Sequence, residues 1–292
     1  MMRSFLFVPG DSPRKFEKAC QGNADALILD LEDSVVPPLK PQARATVRIM
    51  LEAPRRQKMF VRVNALDTGL TLADLAAIMP DRPDGIALPK CAGPDQVRQL
   101  SHYLSAYESL HGAEAVGSTL IVAIATETAE SVRALSACSY RDVDPRLWGL
   151  MWGAEDLAAS IGAGSNRTDG RYHAPFLLAR NLCLIAAAAA GIAPIDTVAT
   201  DIDDIDGLVA EAREARRDGF TAKAVIHPRH VDPVNDAFTP SASEIAWANA
   251  VCAAFANEPD AGVVKLDGKM LDKPHLRTAE RILSLSGSDI ST

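Results

Sequence analysis

Two carboxylates, Glu127 and Asp156, each follow an apolar run, residues 120–126 for the first and 147–154 for the second. Each run reads as a buried strand that delivers an acid at its C-terminal end, which is where parallel α/β folds bind ligands. Two hard oxygen ligands meeting there suit Mg²⁺, with coordination positions left over for a substrate. A third acidic group, Asp30, Glu32 and Asp33, closes the run 26–29. Such crowding costs self-repulsion unless a cation is near, either a metal or a partner such as Lys40 or Arg44.

Cationic candidates sit at similar positions. Arg62 lies among Phe60, Val61 and Val63, where an unpaired charge would be costly. With Val61 and Val63 toward the helices it faces the mouth of the fold. Its guanidinium suits a carboxylate or thioester oxygen, and an ion pair with Asp30, Glu32 or Asp33 is compatible with that role. Lys90 follows Leu88 and Pro89. It could form a Schiff base, but a salt bridge to Glu127 or the acids near 30 is preferred, because a metal pair makes the amine unnecessary. His227 and His230 flank Pro228, which breaks a helix, so a shared metal is not expected. The turn Gly153-Ala154-Glu155-Asp156 offers backbone N–H groups to a substrate carboxylate.

The elements that must position these groups alternate along the chain. Apolar runs at 4–8, 25–30, 58–64, 84–89, 119–125, 147–152, 195–199 and 221–226 predict eight strands. Amphipathic stretches at 13–21, 40–53, 70–79, 94–111, 128–138, 174–190 and 203–218 predict helices between most of them. Continuous apolar strands imply burial on both faces, as in a parallel sheet. Eight such units in about 230 residues predict an α/β fold, a (β/α)₈ TIM barrel. The turn after the first strand, Pro9-Gly10-Asp11-Ser12-Pro13, is no dinucleotide fingerprint. The barrel is expected over 1–230, and 231–292 as a C-terminal helical appendage. There Ser241 and Glu244 form a capping-box pattern for a helix over 242–256, and a last helix runs from about 275 to 285.

Composition narrows the function. The chain has 292 residues, 48% of them hydrophobic and only 5% aromatic, so the core is aliphatic. A net charge of −8 argues against nucleic acid as a partner. Five dispersed cysteines without a CxxC speak against zinc or a disulfide framework and for reduced, mostly buried thiols in the cytoplasm. The apolar run at 4–8 is too short for a signal peptide. The alanines at 186–190 are too few to span a bilayer and read as part of a buried helix.

Taken in order, Phe5-Leu6-Phe7-Val8-Pro9-Gly10, Asp30-Leu31-Glu32-Asp33-Ser34-Val35, Val61-Arg62-Val63-Asn64, Leu88-Pro89-Lys90, Thr126-Glu127-Thr128, Gly153-Ala154-Glu155-Asp156-Leu157, Ile226-His227-Pro228 and Gly268-Lys269-Met270-Leu271-Asp272 resemble the citrate lyase β-subunit-like family, which belongs with the malyl-CoA lyases and class II pyruvate aldolases. The resemblance covers nearly the whole chain. It implies a Mg²⁺-dependent lyase acting on CoA thioesters, with Glu127 and Asp156 as metal ligands. Arg62 would hold the α-keto acid and the thioester carbonyl, and Arg14 and Lys18 would lie near the CoA phosphates. Asp272 would be the acid/base, delivered by the tail of an adjacent subunit in a trimer or dimer of trimers. Ser12 stands where many relatives carry arginine.

The reaction so implied is cleavage of a citryl-CoA-type thioester to an α-keto acid and acetyl-CoA. Malyl-CoA or methylmalyl-CoA cleavage, thioester hydrolysis, a CoA-free aldolase and a non-catalytic subunit that binds an acyl carrier protein are the alternatives. The Asp272 tail and the basic turn near 14–18 weigh against the CoA-free aldolase.

Overall fold

The computed structural model describes residues 2–286. The chain divides into two compact units, Met2–Asn235 and the segment from Asp236 onward. The expected boundary at 230 falls just before α9 (Val231–Phe238).

The first unit is a closed barrel of eight parallel strands. They are β1 (Ser4–Pro9), β2 (Ala26–Asp30), β3 (Lys58–Arg62), β4 (Gly85–Leu88), β5 (Leu120–Ile124), β6 (Leu147–Met151), β9 (Ala193–Asp196) and β10 (Ala222–Val225). β10 pairs with β1 and closes the ring. Helices α1 (Pro13–Cys20), α2 (Lys40–Glu52), α3 (Thr71–Ile78), α4 (Pro94–Glu108), α5 (Ala129–Ala137), α7 (Ala174–Ala190) and α8 (Ile205–Asp218) fall where the amphipathic stretches predict them. After β6 the chain adds α6 (Glu155–Ile161) and a small hairpin, β7 (Arg167–Thr168) with β8 (Arg171–Tyr172).

Side-chain parity decides what each strand gives the interior. Phe5, Ile28, Phe60, Val122, Ile124, Met151 and Ile195 fill the barrel, with Ala26, Ala87, Ala222 and Ala224 between them. Phe5 meets Phe60 edge-on at 5.6 Å. Gly85 makes room for that ring, because a Cβ there would stand 2.2 Å from Phe60 Cε1. The same parity carries Asp30 on from Ile28, and Arg62 on from Phe60, to the C-terminal mouth.

The second unit contains α10 (Ala242–Asn257), a hairpin of β11 (Val263–Leu266) and β12 (Lys269–Asp272), and α11 (Lys273–Ser286). Ser241 and Glu244 complete the expected capping box. Val251, Phe255, Val264, Leu271, Ala279 and Leu283 form its core.

Two expectations need correcting. The alanine run lies in α7, but it is not a buried segment: Ala187 is buried while Ala188 and Ala189 are exposed. Of the cysteines, all free, only Cys91 and Cys183 are buried. No described helix is long and apolar enough to cross a membrane.

Candidate active site

The C-terminal mouth of the barrel holds a cavity of about 710 Å³. Asp30, Arg62, Glu127, Glu155 and Asp156 all line it, so the acids of β2, β5 and β6 do converge. Glu127 follows β5, and β5 pairs directly with β6. Gly153 lets the two strand ends approach, since a Cβ there would lie 3.1 Å from Glu127 Cγ. Asp156 sits in the first turn of α6.

Arg62 is the hub of the cluster. Its Nε and Nη2 each donate to an Asp30 carboxylate oxygen at 2.7 Å, a bidentate pair. Its Nη1 lies 3.0 Å from Glu32 Oε2 and 4.0 Å from Glu127 Oε1. Burial works against the guanidinium charge, but Asp30, Glu32 and Glu127 overcome it and raise its pKa. Burial likewise opposes the charge on Asp30, and Arg62 holds that carboxyl below its ordinary range. Lys90 Nζ bonds Glu32 Oε1 and lies 3.2 Å from Asp33 and 3.7 Å from Asp156. Its backbone N–H donates to Glu127 Oε2 at 2.6 Å from a left-handed conformation, φ 51°. The amine is therefore an ion-pair partner of the acids, as expected. Lys40 and Arg44 are not: Lys40 Nζ donates to the backbone carbonyls of Leu31 and Glu32, and Arg44 pairs with Asp74.

The charge balance is uneven. Asp30, Glu32, Asp33, Glu127 and Asp156 surround Arg62 and Lys90. Five carboxylates against two cations leave a formal surplus of three negative charges. Burial, with Glu32 and Asp156 adding to it against the pull of Arg62, pushes Glu127 up to about 8. Glu32 Oε2 is buried and receives no well-directed hydrogen bond. A hard divalent cation beside Glu127 and Asp156 would relieve the crowding of like charge. Among the described residues no three acids, histidines or cysteines form a complete ligand set. Mg²⁺ itself needs only one or two protein carboxylates, with water and substrate oxygens in its remaining positions.

Comparison with known proteins gives the chain a family. The HpcH/HpaI aldolase/citrate lyase model matches residues 3–228. The chain belongs to that family. A citrate lyase subunit beta-like protein of Mycobacterium tuberculosis is 36% identical over 98% of this chain and 96% of its own. A mitochondrial citramalyl-CoA lyase of Mus musculus is 32% identical over 98% of this chain and 86% of its own. The crystal structure of protein CitE from Mycobacterium tuberculosis in complex with magnesium, acetoacetate and coenzyme A superposes with a TM-score of 0.76, at 32% identity and 98% coverage of both chains.

The other predicted residues of this HpcH/HpaI family member fall as follows. Lys18 lines the cavity together with Lys15, one turn away on α1, whereas Arg14 is exposed and does not. Ala154 is buried at the cavity wall, and the Glu155 side chain accepts from Asn166 at 2.7 Å. Gly153 N–H is already spent on Thr126 Oγ1, at 2.8 Å. The ring centroids of His227 and His230 are 6.2 Å apart; His230 Nε2 meets the Ile202 carbonyl, and His227 Nδ1 accepts from the Arg229 N–H. Asp272 ends β12 in the second unit.

A second polar ring backs the β6 end of the site and was not read from the sequence. The Trp152 indole donates to Asp196 Oδ1 at 2.6 Å, and Lys223 Nζ donates to Asp196 Oδ2 at 2.7 Å. Lys223 also lies 3.5 Å from Glu211, which takes Arg167 at 2.7 Å. Arg167 bonds the Tyr172 hydroxyl, and Tyr172 packs edge-on against Trp152 at 5.0 Å. The ring therefore closes on the residue just before Gly153. The available signal was one acid and one lysine inside adjacent apolar strands, β9 and β10.

Proposed function

We propose that this protein is a Mg²⁺-dependent carbon–carbon lyase that cleaves a 3-hydroxyacyl-CoA thioester of the citryl-CoA type to an α-keto acid and acetyl-CoA. The observation that carries the reading is the convergence of Glu127, Asp156 and Arg62 in one cavity with surplus negative charge. The relatives' names, a citramalyl-CoA lyase and a complex with magnesium, acetoacetate and coenzyme A, support the substrate class.

Glu127 and Asp156 would hold the ion. Bound there, it supplies Lewis acidity to the oxygens of the α-keto acid half of the substrate. The backbone of Ala154, Glu155 and Asp156, at the start of α6, presents N–H groups with no partner inside the helix and suits the substrate carboxylate. Arg62, fixed by its fork on Asp30, stabilises negative charge that develops on the thioester oxygen. Lys15 and Lys18 at the cavity rim suit the phosphates of CoA; Arg14, on the same helix, adds to the field from outside.

Asp272, supplied by a neighbouring copy in a trimer or dimer of trimers, removes the β-hydroxyl proton. The C–C bonding pair then becomes the enolate of the acetyl thioester, the oxidised carbon becomes the keto carbon, and the proton returns to the enolate carbon. The carrier is CoA rather than an acyl carrier protein in this reading, and the free thiols favour a cytoplasmic setting.

The test is mass-spectrometric assay of a CoA-thioester panel with purified protein and Mg²⁺. Cleavage of citryl-CoA or malyl-CoA, lost in Glu127→Ala, is expected. No cleavage of any member, or activity indifferent to Glu127→Ala, would overturn the lyase. Release of free CoA with the acyl chain intact would identify a thioesterase instead.

A further inference from the structure

Asp272 does not stand alone at the end of β12. His275, one turn into α11, brings its Nδ1 to 2.6 Å from Asp272 Oδ1. So short a contact to a carboxylate requires a proton on Nδ1, which makes the imidazole the donor. The Asp272 backbone N–H also points at this nitrogen, at 3.3 Å, but a protonated Nδ1 cannot accept it, so the carboxylate is the ring's hydrogen-bond partner. Pro274 restricts the backbone between them and favours the helix start that closes the contact. Both side chains remain about half exposed, at 51% for Asp272 and 45% for His275. The contact is therefore not forced by packing into a core.

Other charges nearby do not compete. The ladder partner of Asp272 is Val263. Lys273 turns its ammonium over the Phe255 ring, 5.0 Å from the centroid. Among the described residues, His275 is the sole ion-pair partner of Asp272.

We propose that His275 is a positioning residue for Asp272: its Nδ1–H fixes the carboxylate so that the other oxygen, Oδ2, faces the substrate hydroxyl. This rests on the acid/base reading of Asp272 and deepens it. The hydrogen bond and the charge of the imidazole also hold the Asp272 carboxyl below its ordinary range. Asp272 thereby stays ionised, as a base must be, well into mildly acid solution. A competing role is purely local, in which His275 only steadies the start of α11. It predicts a loss of thermal stability and nothing else.

The experiment compares wild type, His275→Ala, His275→Asn and Asp272→Asn as full chains with Mg²⁺, following malyl-CoA and citryl-CoA cleavage from acid to neutral pH. In His275→Ala, kcat should fall on the order of tenfold to a hundredfold, with KM nearly unchanged, as for a reacting group slightly misplaced. The acid limb should move to higher pH. His275→Asn, whose amide replaces the Nδ1–H donor, should recover most of kcat. Wild-type kcat and pH profile in His275→Ala, with Asp272→Asn inactive, would overturn the His275 role and leave Asp272 in place. Full turnover in Asp272→Asn would remove both. A readout independent of turnover is the NMR titration of the Asp272 carboxyl, which should titrate at lower pH in wild type than in His275→Ala. Identical curves would overturn the proposal.

Discussion

Glu127 is an acid stabilised in its protonated form by its surroundings. Burial, and then the charges of Glu32 and Asp156, push it up to about 8, against an ordinary value of 4.5. In the unfolded chain it ionises near that ordinary value, so between the two the folded state holds a proton that the unfolded state has released. Stability of the metal-free protein should therefore fall as pH rises through this window. In chelator, the urea midpoint should be lower at pH 8 than at pH 5, and the difference should shrink in Glu127→Gln. Magnesium reverses the balance, because it binds the ionised carboxylate and displaces the proton. Calorimetry in buffers of different ionisation heat should show proton release on Mg²⁺ binding near neutral pH, and none in Glu127→Gln. Arg62 gives a second expectation at this scale. Lysine keeps the charge but cannot make the two 2.7 Å bonds to Asp30 at once. Arg62→Lys should lower kcat by about a hundredfold or more while the thermal transition moves little; an unchanged kcat would remove Arg62 from the chemistry.

Elements, more than single residues, determine where the polar groups go. Lys223 on β10 points outward between the barrel and α8, fully buried, and meets Asp196 from β9. Without Lys223, Asp196 keeps the Trp152 indole and Arg180 at 3.7 Å, so the loss should lie toward the lower end of the roughly 3–5 kcal/mol that breaking a buried pair costs. Lys223→Met should lower the melting temperature of the barrel by roughly ten degrees, at about 2–4 degrees per kcal/mol for a unit of this size. Lys223→Met combined with Asp196→Leu should recover much of the loss, and calorimetry would read both. The seven helices were legible from their amphipathic period, and the eight strands as continuous apolar runs between them. The β7–β8 hairpin was not, since two residues per strand carry no periodicity. The outward ring around Asp196 was missed for a different reason. Strands buried on both faces are apolar throughout, so alternation does not mark which side chains leave the barrel. Arg62 escaped that ambiguity only because valines flank it on both sides. On α1 the family resemblance pointed to Arg14 and Lys18, whereas the face that lines the cavity carries Lys15 and Lys18.

At the scale of the whole molecule, the proposed ligands Glu127 and Asp156 follow the strands β5 and β6 of the barrel, whereas the proposed acid/base Asp272 ends β12 in the second unit. The two compact units are each internally cored, the second by Val251, Phe255 and Leu283. In the proposed assembly the second unit would present β12 to another copy. Exchange between copies makes a quantitative prediction. Glu127→Gln chains keep Asp272, and Asp272→Asn chains keep Glu127, so each homo-oligomer should be inactive. If the acid comes from a neighbour in a cyclic assembly, equal mixing restores those sites where an Asp272→Asn barrel receives the arm of a Glu127→Gln chain. Random assembly makes that about a quarter of all sites. Unfolding the two variants together and refolding them should then recover about a quarter of wild-type activity, whereas mixing them after folding should recover less. An acid supplied within its own chain predicts no recovery under either protocol, because no chain in the mixture carries both groups. Sedimentation of the mixed sample alongside wild type separates the remaining outcome, a failure to assemble, since restored activity is expected only where the oligomer itself has re-formed.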